Sequence, residues 1–154
     1  SSVTFSGLGA YSDYKHLQIR MVTRSAKATT NTNQNLRFNS DTGSNYSWHH
    51  IEGTGSSVGP SGSSGFDRIL AGQTVGSSVT DAWGATVVDV LDFSNISKNT
   101  TVRTLNGWMG LSGETNRIFL WSGAWINTSA VTSFEIYDTD NWLVGSRFSL
   151  YGVK

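Results

Sequence analysis

The chain has 154 residues, enough for one domain with a sizeable core, and its 11 Lys and Arg balance its 11 Asp and Glu to a net charge of zero. That balance lacks the basic excess that phosphate recognition requires and argues against a nucleic-acid partner. The absence of Cys excludes disulfides, thiolate zinc sites and cysteine nucleophiles, and no apolar run approaches the length of a membrane span.

In chain order, Val3 and Phe5 open a first short strand. The start, Ser1-Ser2-Val3, has no Met and no signal-peptide pattern. The expectation is a processed chain, or one that begins inside a longer product. Leu17, Ile19 and Met21 share one face of a second strand, opposite His16, Gln18 and Arg20. Leu36 and Phe38 mark a third, and Tyr46 to Ile51 a fourth, joined by the turn formers of Asn39 to Asn45. Ala85 to Phe93 is apolar on both faces, so it is expected to be central and covered on both sides. Thr100 to Met109, Arg117 to Trp125, Ser133 to Tyr137 and Ser146 to Val153 complete the set. One short helix is conceivable, near Phe66 to Leu70 or around the turn Asn95 to Asn99.

Short alternating runs separated by Gly, Ser, Asn and Asp clusters predict an all-β fold, a single antiparallel β-sandwich over residues 1–154, jelly-roll-like, with long polar loops. Ser25 to Asn35 is polar. Gly53 to Gly65 has a linker-like composition and is expected to be a mobile exposed loop, residues 53–65. The expected core is Phe5, Leu17, Ile19, Phe38, Val87, Leu91, Ile118, Leu120, Phe134, Ile136, Phe148 and Leu150.

Candidate chemistry is sparse. His49 and His50 are adjacent, so in a strand they point to opposite faces and make no close metal pair. Asp138, Asp140 and Asn141, like Asp41 with Asn39 and Asn45, read as turns, because no complete calcium-loop pattern accompanies them. The glutamates Glu52, Glu114 and Glu135 show no spacing that would pair two carboxylates across a sugar. There is no nucleophile elbow, phosphate loop or dinucleotide fingerprint. The expectation is no catalytic residue, no metal and no cofactor. Six Trp are many for this length, and most are expected in the core or an interface. Trp142, in the polar Asp140-Asn141 turn, is the one expected to be exposed as a surface aromatic contact.

Tyr14-Lys15-His16-Leu17-Gln18-Ile19-Arg20, the hairpin Leu36-Arg37-Phe38-Asn39-Ser40-Asp41-Thr42-Gly43-Ser44-Asn45-Tyr46-Ser47 and the ending Ser146-Arg147-Phe148-Ser149-Leu150-Tyr151-Gly152 carry a resemblance. Val88 to Phe93, Lys98 to Arg103 and Trp121 to Trp125 extend it over most of the chain. The chain resembles a family of small tailed-bacteriophage virion structural proteins. The resemblance implies a non-enzymatic component of the particle exterior, with a capsid decoration or cement protein on the head as the leading expectation. Its partners would be the major capsid protein, other virion proteins or further copies of itself. The alternative is a tail-fibre or spike module that binds cell-surface glycan. No enzymatic residues come with the family.

Overall fold

The computed structural model describes residues 1–110 and 116–154. Among the described residues eleven strands form two antiparallel sheets packed face to face, the expected β-sandwich. The strands are β1 (Ser2–Phe5), β2 (His16–Thr23), β3 (Asn31–Phe38), β4 (Tyr46–Gly53), β5 (Val58–Phe66), β6 (Ile69–Val75), β7 (Gly84–Leu91), β8 (Thr100–Trp108), β9 (Arg117–Trp125), β10 (Phe134–Tyr137) and β11 (Arg147–Val153). The small sheet runs β1-β10-β3-β6 and the large one β11-β2-β7-β8-β9-β4-β5. A single 3-10 turn, Leu8–Tyr11, follows β1. The one short helix conceivable from the sequence forms at neither place: Phe66 ends β5, Ile69 begins β6, and residues 95–99 are a loop closed by the Asn95 side chain on the backbone N–H of Ser97.

Between the sheets lies one layer built from the inward residues of most strands. Leu17, Ile19, Leu36, Phe38, Val88, Val90, Val102, Trp125, Phe134 and Ile136 form its main part. Leu70, Val75, Trp108, Phe119 and Trp121 form a second cluster toward one end. A buried polar network, Thr23, Gln34, Thr74, Thr86 and Asn106, hydrogen-bonds across the layer. Gly72, at φ 138°, lets the backbone of β6 pass this network; a Cβ there would sit 2.8 Å from Gln34 Oε1.

The segment expected as a mobile loop, 53–65, is mostly strand. Val58 to Phe66 pairs with β4 along its whole length, from Gly53 opposite Val58 to Tyr46 opposite Phe66. Gly and Ser supply little side-chain packing, but this is an edge strand, where backbone pairing on one side suffices. Glycine is also required by close approach: a Cβ on Gly62 would lie 2.8 Å from that of His49.

The core assignment is inverted in two strands, β7 and β9. Leu17, Ile19, Phe38, Phe134 and Ile136 are buried as expected, and Phe5, Phe148 and Leu150 pack partly buried at the margin. Val87 and Leu91, however, are half-buried on the outer face, while Val88 and Val90 point inward. Ile118 and Leu120 are 61% and 50% exposed, and Phe119, Trp121 and Trp125 fill the core instead. Each of these strands is apolar on both faces, so alternation alone does not choose a side. In β9 the rings win, because an aromatic buries roughly 150–250 Å². The expectation that β7 is covered on both faces therefore fails: its outer face is open.

Candidate functional site

The outer face of the large sheet is the least ordinary surface of the molecule. Cross-strand register aligns its outward residues in rows. One row reads Arg20, Val87, Leu105, Leu120, Ile51, Pro60, and the next Val22, Ala85, Gly107, Ile118, Gly53, Val58. Leu105, Ile118, Leu120 and Ile51 are each half or more exposed, Val58 is 72% exposed and Met109 78%. Two shallow grooves of about 300 and 430 Å³ meet at Leu105 and Ile118. Contiguous exposed apolar surface of this kind makes this face the candidate interaction site.

The row beyond is polar: Gln18, Asp89, Arg103, Ser122 and His49. Arg103 pairs with Asp89 at 2.9 Å, and Gln18 Nε2 donates to the same carboxylate at 3.0 Å. Burial raises the Asp89 pKa, but these hydrogen bonds and the guanidinium charge outweigh it and hold the group below the usual carboxylate range. The result is an apolar centre with a fixed polar rim, the anatomy of a protein–protein contact. Fully burying a Val, Leu or Ile is worth ~1.5–3 kcal/mol, so six half-exposed side chains offer on the order of 5 kcal/mol gross. Association itself costs ~4–15 kcal/mol. One such face gives a weak contact that needs either added polar bonds or many copies acting together.

The residues singled out from sequence are not assembled into a reactive centre. His49 is outward and exposed. His50 lies inward, its ring stacked 6.0 Å from Trp48 and tilted against Trp121 at 4.0 Å, and burial lowers its pKa. His16 Nδ1 accepts from the Asp92 backbone N–H at 2.9 Å. Asp138 Oδ1 accepts from Thr32, Thr139 and the Asp140 N–H, and Asp140 Oδ1 from the Asn141 N–H, as turn carboxylates do. Among the described residues no three His, Asp or Glu are placed to hold a metal. Glu52 pairs with Arg117 at 3.3 Å, Glu135 stands opposite Arg37 on the small sheet, and Glu114 lies outside the described residues.

Trp142 departs from its expected exposure. It is partly buried, bridges backbone to backbone with Ser25, and meets Phe148 edge-on at 5.4 Å. Its indole N–H is buried and without a hydrogen-bond partner among the described residues. Phe148 packs against the Trp142 ring, which joins the margin of the core. Trp108, Trp121 and Trp125 are in the core, as expected of most of the set. The apolar outer face was not among the sequence-derived candidates. Its signal was present in β9, where Ile118 and Leu120 alternate with larger rings.

No family model, curated protein or solved structure matches this chain.

Proposed function

We propose that the chain is a non-enzymatic structural protein of a bacteriophage particle, docked on the virion exterior as a capsid decoration or cement protein. The observation that carries a docking role is the exposed apolar surface around Leu105, Ile118, Leu120 and Ile51 with its polar rim. The phage assignment rests on the sequence segments that resemble virion proteins. The partner is the major capsid protein, contacted through the outer face of the large sheet. The weak single contact suits a protein present in many copies on a repeating lattice. The binding is dominated by apolar area, so it should depend only modestly on salt.

The test is sedimentation of purified chain with particles or capsid-protein shells. Wild-type chain should co-sediment, and Leu105→Asp with Leu120→Asp should remain folded by circular dichroism yet stay in the supernatant. Co-sedimentation unaffected by that double change, or labelling confined to the tail tip, would overturn the reading.

A further inference from the structure

The outer face of the small sheet, on the opposite side of the sandwich, has the contrary chemistry. Strand β3 reads Asn31-Thr32-Asn33-Gln34-Asn35, with Thr32 and Gln34 buried between the sheets. Asn31 and Asn33 are partly exposed on the outer face, and Asn35, beyond a register shift, is buried beneath the Arg68 contact. Asn is depleted in strands, and an outward position with only structural demands is better served by Thr or Val. These amides instead line a groove of about 310 Å³ together with Lys27, Arg68 and Gln73.

The groove is pre-organised. Gln73 Nε2 donates to Asn33 Oδ1 at 3.2 Å, which ties the two amides together. Arg68 Nε donates to Asn35 Oδ1 at 3.1 Å, and Asn35 Nδ2 donates to the Tyr137 carbonyl at 3.2 Å. Arg68 is further held by Asp67. These bonds leave the Asn33 amide N–H groups, the Gln73 carbonyl oxygen and the whole Asn31 amide without a protein partner among the described residues. Lys27 Nζ reaches only Thr139 Oγ1, at 3.4 Å, and has no carboxylate within ion-pair distance among the described residues. A short row of donors and acceptors held on rigid strands, closed at one end by an unpaired ammonium, matches a ligand with several adjacent hydroxyls. A hydroxyl both donates and accepts, so it can bridge neighbouring amides as an apolar or purely anionic ligand cannot.

We propose that this groove binds carbohydrate, one or two sugar units of a surface glycan, with an acidic sugar favoured at the Lys27 end. A chain docked by its large sheet would present this groove outward, yet the inference stands on separate residues and survives if docking fails. No aromatic ring lines the groove, so single-site affinity should be weak, in the millimolar range, and useful binding would come from many copies.

The test uses two readouts. Chain multimerised on streptavidin is applied to an array of neutral and uronate-containing bacterial oligosaccharides. In parallel, ¹⁵N-labelled chain is titrated with galacturonic acid and with galactose. Binding to the array is expected, with shifts in the side-chain amide signals of Asn31, Asn33 and Gln73. Asn33→Ala should weaken binding about tenfold or more, the loss of one or two hydrogen bonds. Lys27→Ala should weaken only the acidic probes. Because both positions face outward, unchanged backbone spectra will show that the variants fold. Array binding that survives Asn33→Ala, shifts confined to other residues, or no array binding at all would overturn the proposal.

Discussion

Gln34 of the small sheet accepts a hydrogen bond from Thr86 of the large sheet at 2.9 Å, with both residues essentially inaccessible to solvent. The other end of the same amide donates to Thr23 at 2.7 Å, and Thr23 in turn donates to Thr74 at 2.9 Å. One side chain thus fixes the register of four strands across the sandwich. Gln34→Ala would leave Thr86 and Thr23 with unmet hydrogen bonds and a cavity between them. An unsatisfied buried group costs ~1–3 kcal/mol, so a loss of about 2–4 kcal/mol is expected. Urea denaturation checks this; a loss under about 0.5 kcal/mol would show that water replaces the amide.

The inside-out reading of β9 gives a paired prediction. Phe119 is 1% exposed and Leu120 is 50% exposed, although they are neighbours. Phe119→Ala should cost about 3–5 kcal/mol. Leu120→Thr should stay within about 0.5 kcal/mol of wild type, as exposed substitutions do. If the two costs are equal, the faces of the strand are misassigned.

Those two residues also show how far the sequence could be read. Strands with one apolar face, such as β2 with Leu17, Ile19 and Met21, are legible in full, because alternation leaves one way to bury them. Strands with two apolar faces are legible as strands but not as to which side is inside; that depends on the volume facing them across the sandwich. Gly123 illustrates it: Ile69 from β6 packs where its Cβ would be, so this stretch of β9 must turn its smallest residue and its rings inward together. Strand β6 itself was hidden, since Gly72 and Gln73 interrupt its alternation and its pairing with β3 shifts register between Asn33 and Asn35. Strand β5 was hidden by composition, because edge pairing is a backbone property that Gly and Ser do not announce. The docking face follows from the same ambiguity, and the amide groove depends on β6, which the alternation does not reveal.

His50 should make stability fall in mild acid. Burial holds its pKa below the ordinary 6.5, the neighbouring charge of Glu52 opposes this and His49 adds to it. Arg117 pairs with Glu52 at 3.3 Å and offsets part of its charge. The unfolded chain therefore takes up the proton first. Stability is full above about pH 6.5 and is lost as pH falls toward the lower folded value. His50→Phe should keep the ring packing against Trp48 and Trp121 and flatten this part of the profile. An identical profile in the variant, measured by urea midpoint against pH, would assign the loss elsewhere.

Asp41 governs a second, more acidic step and ties the β3–β4 hairpin to the core. Trp125, 1% exposed, donates its indole N–H to Asp41 Oδ2 at 2.8 Å. The Gly43 backbone N–H and the Asn45 amide donate to the same carboxylate at 2.8 and 3.0 Å. The Trp125 bond is the largest cause of a pKa held below 3.8; the Gly43 and Asn45 bonds add to it and burial opposes it. A depressed carboxylate stabilises the fold above its unfolded pKa, and that contribution goes as pH falls through the lower folded value. Asp41→Ala would strand the indole N–H in the core and release the turn. Hydrogen bonds to a charged group are worth ~1.5–3 kcal/mol, so a loss in that range is expected at neutral pH. Asp41→Asn keeps an acceptor for Trp125 and should lose less, while removing the acid step below about pH 3.8. Equal losses from Ala and Asn would show that the charge, and not the acceptor geometry, holds the hairpin against Trp125.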